Sequence, residues 1–126
     1  MTISTVDPAG LVDGGRYTHG ALVEGAGRTL YISGQIPATR DGDVPDTFEA
    51  QCRLVWDNVF AVLAEAGMTP RNLVKVTTFL SDRAYRAENS EIGREVLAGH
   101  RPTLTVVITG IYEEEWLLEI EAIAAD

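Results

Sequence analysis

The stretch WDNVFAVLAEAGMTPRNLVKVTTFLSD, from Trp56 to Asp82, holds the end of a helix, a turn and a strand in close succession. Apolar residues recur at the i, i+4, i+7 and i+8 spacing of a buried helix face, and the pattern extends upstream, which predicts a helix over about Thr47 to Ala66. Gly67 is a natural end for this helix, and the run from Asn72 to Leu80 predicts a strand. The predicted buried face comprises Phe48, Cys52, Val55, Trp56, Val59 and Leu63.

The segments on either side predict a mixed α/β domain. Tyr17 to Gly25 and Thr29 to Pro37 are typical of strands, and the glycine-containing turn between them predicts a hairpin. The order β-β-α-β-α-β-β favours an α/β (α+β) fold with two helices on one face of a mixed sheet. The remaining elements are predicted as a helix over about Tyr85–Ala98 and strands over Thr103–Ile111 and Trp116–Ala124.

The predicted last strand has apolar residues on both of its faces. Side chains alternate across a strand, so Trp116, Leu118, Ile120 and Ala122 share one side, whereas Leu117, Glu119, Glu121 and Ile123 share the other. Two helices are enough to cover only one face of the sheet. We therefore expect oligomerisation to cover the second face.

Composition limits the classes of protein that this chain can be. Its 126 residues fit one domain, residues 1–126, with 45% hydrophobic and 23% charged residues. We expect a cytoplasmic protein without membrane contact, because the N-terminus lacks the pattern of a signal peptide, no apolar run approaches roughly 20 residues, and the single cysteine, Cys52, cannot form an internal disulfide. The net charge of −9 and the dispersed basic residues count against a nucleic-acid partner.

Several polar residues are candidates for a site, each with a structural alternative. Glu119 and Glu121 share one face of a strand among apolar residues, which suits acid–base chemistry on water or a substrate, but such carboxylates more often lie at a wet rim or form ion pairs. Gly34 either admits a ligand or marks a bulge. Tyr17 and His19 either line a cleft or merely pack, and Asn89 is most simply solvent-facing. Standard metal and nucleotide motifs are absent.

Four segments together resemble the YjgF/Rid family of reactive-intermediate deaminases. They are ISGQIP (Ile32–Pro37), the stretch Trp56–Asp82, HRPT (His100–Thr103) and EIEAIA (Glu119–Ala124). The resemblance implies a chorismate-mutase-like fold with a six-stranded sheet, packed as a homotrimeric barrel with clefts between subunits. It also implies hydrolysis of small imines and enamines, such as 2-aminoacrylate, to a carbonyl compound and ammonia, without a metal or organic cofactor.

The resemblance also assigns candidate roles to residues of this sequence. Tyr17 matches the cleft tyrosine of the family, and Gly34 matches the glycine whose backbone lies beside the ligand. Asn89 matches the helix asparagine near the cleft. Glu119 matches the glutamate that positions and polarises the attacking water, which makes it the expected catalytic residue.

One position departs from the family pattern. The arginine that grips the substrate carboxylate is replaced by Leu104. Arg101 is three residues away, which is about 10 Å along a strand and on the opposite face, so we do not expect it to substitute, whereas Arg16 is a less remote candidate. The backbone amides of Thr105 and Val106 are expected to orient the ligand.

Three functions follow in order of preference. The first is a hydrolase for a small C=N compound that is neutral or apolar where the usual substrate is anionic, and hence poor on 2-aminoacrylate. The second is a non-catalytic trimer that binds a small ligand or a partner, because a fold does not fix a function. The third is an endoribonuclease, which the acidic charge disfavours.

Overall fold

Six strands and two helices make up the computed structural model, which describes residues 1–126. The mixed α/β class is confirmed. Short 3₁₀ turns at Pro70–Asn72 and Arg83–Tyr85 precede the fourth strand and the second helix. The elements are β1 (Thr2–Val6), β2 (Gly20–Glu24), β3 (Thr29–Gln35), α1 (Phe48–Glu65), β4 (Leu73–Leu80), α2 (Arg86–Leu97), β5 (Thr103–Ile108) and β6 (Leu118–Ala125).

The first helix forms as its sequence predicts. The Thr47 hydroxyl accepts a hydrogen bond from the backbone N–H of Ala50 at 3.2 Å and so caps the N-terminus. The helix ends at Glu65, and Gly67 follows with φ +74°, a left-handed conformation that favours glycine. All six predicted core residues of α1 are buried. Neither helix combines the length and the apolar character needed to cross a membrane.

The strands do not form the single six-stranded sheet that was expected. Four of them form a sheet in the order β3-β6-β4-β5, with β4 and β5 parallel, whereas β1 and β2 form a separate antiparallel pair. The predicted hairpin of β2 with β3 is therefore wrong. Glycines mark a turn but do not choose the partner of a strand: β2 pairs with the unpredicted strand β1, and β3 pairs with β6.

The two faces of the four-stranded sheet differ as the alternation predicts. Leu118, Ile120 and Ala122 of β6 are buried beneath the helices, in one core with Trp56 and Leu63 of α1. We call the other face the open face. The register places Phe79 opposite Glu119, and Thr77 opposite Glu121, on this face.

Strand β5 forms an exposed edge of the sheet. It pairs only with β4, so its other edge is unpaired. Val106, Val107 and Ile108 are 40%, 38% and 39% exposed, and Tyr31 on the open face is 75% exposed. Unpaired edges and exposed apolar residues are typical of interfaces. The trimeric barrel remains a prediction.

Candidate functional site

Gly34 and Glu119 form a close contact on the open face. The pairing of β3 with β6 shifts register between Ile32 and Gln35, so Gly34 lies in a bulge. A β-carbon added at Gly34 would collide with Oε2 of Glu119 and lie 2.8 Å from its Cδ. The carboxylate of Glu119 therefore occupies the space that a side chain at position 34 would need.

A groove lies between β5 and α2 and encloses about 510 Å³. Its apolar wall comes from alternate residues of β5, whose side chains point to one side of the strand. Its opposite wall comes from residues four apart on α2, which share one helix face. Tyr17 and Arg16 close one end from the loop before β2. The lining of the groove includes Leu104, Val106, Ile108, Asn89, Ser90, Arg83, Arg86 and Arg94.

Arg16 enters the groove over a glycine of α2. A β-carbon added at Gly93 would lie 2.7 Å from Nη1 of Arg16, so the missing side chain makes room for the guanidinium. Burial lowers the pKa of Arg16 from its ordinary value, and the nearby charge of Arg94 lowers it further. None of the four groove arginines forms an ion pair within the chain, because the three ion pairs involve only Arg28 and Arg53.

Hydrogen bonds hold the loop that carries Arg16 and Tyr17. Arg101 donates from Nη2 to the backbone carbonyl of Tyr17 at 2.8 Å. Asp7 accepts from the Thr18 hydroxyl and from the His19 backbone N–H, each at 2.8 Å. These bonds lower the pKa of Asp7. The Tyr17 and His19 rings meet edge to face with centroids 5.5 Å apart. Arg101 thus anchors the loop and lies outside the lining of the groove.

Asn89 lies between the groove and the core. It is only 4% exposed, so the expectation of a solvent-facing residue is wrong: α2 turns this position inward against α1. Its Oδ1 lies 4.0 Å from the Sγ of Cys52, which is fully buried. Burial raises the pKa of the Cys52 thiol to about 12. This cysteine is therefore a packing residue of the helix interface and not a nucleophile.

Within one protomer, the predicted site residues lie in two separate groups. Gly34 and Glu119 meet on the open face, and Thr105 is in register with Thr77 there. The other group lines the groove on the helix side of β5. The two groups do not share a cavity within one chain. The groove group consists of Tyr17, Asn89, Leu104 and Val106.

Sequence reasoning missed the cationic wall of the groove. The basic residues are dispersed along the chain, but four arginines converge here in space, so dispersion in the sequence does not exclude a local basic cluster. The i, i+4, i+8 spacing of Arg86, Ser90 and Arg94 on the predicted helix could have indicated part of it. Arg16 and Arg83 come from other segments, and only the fold brings them to this face.

Comparisons with known proteins agree with this architecture. Residues 11–126 match the family model described as Endoribonuclease L-PSP. The chain is 37% identical over 105 residues to the mitochondrial protein mmf2 of Schizosaccharomyces pombe, with 80% of this chain and 82% of that one covered. It is 32% identical over 111 residues to Escherichia coli TdcF, named as a reactive intermediate deaminase, with 83% and 86% covered.

Solved structures give the same result. The Rid-family protein YyfB from Yersinia pestis, whose function is unknown, superposes with a TM-score of 0.87 at 27% identity over 100% of both chains. Escherichia coli TdcF with bound serine superposes with a TM-score of 0.74 at 29% identity, over 100% of this chain and 98% of that one. The chain belongs to the YjgF/Rid family, and the predicted resemblance is confirmed.

Proposed function

We propose that this protein is a cofactor-free hydrolase that adds water to a small imine, enamine or related C=N compound. The observation that supports this function is the contact between Glu119 and Gly34, where the glycine leaves room for a carboxylate on the open face. A carboxylate held in place beside a ligand can accept and return protons during water addition. The name of TdcF as a reactive intermediate deaminase supports the same class of reaction.

The proposed reaction has two steps. In the first, the water oxygen bonds to the carbon of the C=N group while Glu119 accepts a proton from that water and passes it to the nitrogen, which gives a carbinolamine. In the second, Glu119 accepts the hydroxyl proton of the carbinolamine and passes it to the nitrogen as the C–N bond breaks, which releases ammonia and leaves the carbonyl. One imine and one water give one carbonyl compound and one ammonia. An enamine first gains a proton on carbon and loses one from nitrogen, which gives the imine.

The site is proposed to lie between subunits of a homotrimer. Glu119 is on the open face, whereas Tyr17 and Asn89 line the groove beyond β5, so one chain does not enclose a substrate between them. A second copy packed on the open face would bring another chain's groove near Glu119. The exposed apolar residues of β5 and its unpaired edge support such packing.

Leu104 sets the proposed substrate preference. Its side chain is partly buried against the core and lines the groove, so it offers no partner to a carboxylate. Loss of a buried charge-assisted pair typically costs about 2–5 kcal/mol, or roughly 30-fold to several thousand-fold in binding. We therefore expect the substrate to be neutral or apolar beside Leu104, and 2-aminoacrylate to be a poor substrate.

The test is ammonia release from imines generated by an amino-acid oxidase, with semicarbazide trapping the unhydrolysed imine. We expect the wild type to be slow on 2-aminoacrylate-type imines and Leu104→Arg to be at least about 10-fold faster, since a charge-assisted pair is restored. Glu119→Gln should remove the activity of both. Leu22→Arg, at an exposed position on β2, and Glu121→Gln, on the same face as Glu119, are the matched controls.

Other outcomes separate the alternatives. If the wild type clears these imines as fast as relatives that have the arginine, Leu104 does not prevent binding of a carboxylate. If neither the wild type nor Leu104→Arg acts on any imine tested, the hypothesis of a non-catalytic ligand-binding trimer is favoured. If Glu121→Gln is as harmful as Glu119→Gln, Glu119 has no special role in positioning water.

A further inference from the structure

The charge of the groove is opposite to that of the chain. The protein has 19 acidic and 10 basic residues, yet the groove gathers four arginines and no acidic side chain. The ion pairs of the chain involve only arginines outside the groove. A concave site lined by one sign of charge attracts ligands of the opposite sign. The four arginines are Arg16, Arg83, Arg86 and Arg94.

The charged guanidinium of Arg16 is destabilised in its position unless an anion is bound nearby. Its guanidinium is partly buried and feels the like charge of Arg94. Gly93 lies inside α2, where glycine weakens a helix relative to alanine, and its missing side chain leaves the space that Arg16 occupies. Residues in a cleft whose pKa is shifted by burial and by a neighbouring charge are typical of functional sites. An anion in the groove would offset both the burial and the repulsion.

The two walls define the shape of a ligand. Leu104, Val106 and Ile108 form an apolar strip along β5, whereas Arg86 and Arg94 are eight residues apart on α2 and therefore about 12 Å apart along its axis. Arg16 lies near Arg94, at the C-terminal end of α2. Arg83 lies just before Arg86, at the N-terminal end of the same helix. Cations thus stand at both ends of an apolar strip.

We infer that the groove binds a small organic dianion, whose apolar carbons lie against Leu104 and Val106 and whose negative charge is held by Arg16 together with arginines of α2. The inference rests on the proposed function in so far as this dianion is the substrate class of the hydrolase. It is compatible with an apolar group beside Leu104, because the charge is placed elsewhere on the molecule. Arginine binds both carboxylates and phosphates through paired hydrogen bonds.

The experiment measures binding to the full-length protein in its native oligomeric state by isothermal titration calorimetry at low salt. The probes share a six-carbon chain: adipate, hexyl phosphate, hexanoate and hexane-1,6-diol. We expect adipate or hexyl phosphate to bind at least 10-fold more tightly than hexanoate, and the diol not to bind. Preference for adipate indicates two carboxylates, and preference for hexyl phosphate indicates one phosphate group.

Variants locate the site. Arg16→Gln and Arg94→Gln should each weaken binding of the preferred dianion at least 10-fold. Gly93→Ala should do the same by displacing the Arg16 guanidinium, and it leaves all charges in place. Arg40→Gln, which makes the same charge change in the exposed loop before α1, should leave the affinity unchanged. Equal losses in Arg40→Gln and Arg16→Gln would mean that net charge and not the groove binds the anion.

Three results would overturn the inference. One is equal affinity for the dianions and hexanoate. Another is that sedimentation shows the oligomer of Arg16→Gln or Arg94→Gln to dissociate. These arginines would then form ion pairs with carboxylates of a neighbouring copy and would not bind a ligand. The third is tighter binding of a single-stranded RNA oligonucleotide than of any six-carbon probe. Glu119→Gln should bind the dianion normally but release no ammonia, so the inference and the proposed hydrolase can fail separately.

Discussion

Two glycines of this protein perform the same structural task in different surroundings. Gly34 lies in a strand bulge and leaves room for the carboxylate of Glu119, whereas Gly93 lies inside a helix and leaves room for the guanidinium of Arg16. Neither adopts a positive φ, so neither is required by backbone conformation. At both positions a charged group occupies the space that a side chain would need.

The difference between the two positions lies in the protein around them. Glu119 stands on the open sheet face beside Phe79, where the proposed trimer would enclose it. Arg16 stands in a groove that one chain forms by itself. We therefore expect changes at Gly34 to affect the reaction, and changes at Gly93 to affect ligand affinity.

The largest effect that we expect concerns the packing behind Gly93. Cys52 is fully buried, and burial raises its thiol pKa to about 12. Because the thiolate is the reactive form, labelling by a disulfide reagent at pH 8 should be roughly 1,000-fold slower in the folded protein than in urea, where the pKa is ordinary. At pH values below 12, the labelling rate should increase about tenfold for each unit by which the pH is raised. Stopped-flow absorbance can follow this increase.

This labelling rate tests whether α2 is closed against α1. Cys52 is the only cysteine, so the signal comes from one group. Fast labelling of the native protein at pH 8 would mean that the helices open readily, and the placement of Arg16 over Gly93 would then lose its support.

The second prediction concerns Gly34→Ala. The new methyl group would collide with the Glu119 carboxylate, whose flexible end can rotate away. We expect about a 100-fold loss in the rate of imine hydrolysis, since a positioned acid–base group typically contributes this much or more. The loss should appear in kcat, with a much smaller change in the urea concentration at half-unfolding.

The neighbouring Ser33→Ala is the matched control, because it changes the same bulge without adding an atom toward Glu119. A double variant with Glu119→Gln should be no slower than Glu119→Gln alone, since both changes remove the same group. Additive losses in the double variant would show that Gly34 acts on something other than Glu119.

Sequence predicted most of the scaffold and half of the site. The spacing of apolar residues is enough to place α1, because a buried helix face must recur every three to four residues. Strand patterns and the surrounding family motifs both indicate Glu119 and Gly34 as candidate site residues. Their contact was not foreseen, since it depends on a register shift between two strands that are far apart in the chain.

The misses share a physical cause. The partner of β2 and the convergence of Arg16 with Arg94 both depend on which segments meet in space, and local patterns do not contain that information. Glycine-rich turns report a change of direction and not a strand partner. The sequence offers Arg16 only as a candidate substitute for the missing carboxylate-binding arginine, because nothing in its own neighbourhood indicates that Gly93 will accommodate it.

The third prediction is a coupling between Gly93 and Arg16. Alanine in place of a helical glycine stabilises by about 0.5–1 kcal/mol when nothing obstructs it. At position 93 the guanidinium of the wild-type Arg16 obstructs the new methyl group, so we expect Gly93→Ala to increase the free energy of unfolding by less than this amount or not at all. In an Arg16→Ala background the full gain should return. Urea unfolding of the four proteins measures the difference.

Gly10→Ala is a control for the effect of alanine alone, because a β-carbon there meets nothing within 4 Å. Its effect should be the same with and without Arg16. If Gly93→Ala also shows no dependence on Arg16, the two residues do not compete for space and the comparison between the glycines fails.

The smallest effect that we expect concerns the loop that holds Arg16. Asp7 accepts hydrogen bonds from Thr18 and His19, and these bonds lower its pKa from the ordinary value of 3.8. A lowered carboxyl pKa stabilises the fold above pH 3.8, and this stabilisation is lost as the pH falls through the folded-state pKa. Asp7→Asn should therefore lower Tm by about 2 °C or less at pH 6, and the difference should shrink as the pH falls below 3.8. A difference between Asp7→Asn and the wild type that stays constant as the pH falls would mean that ionisation of Asp7 does not anchor the loop.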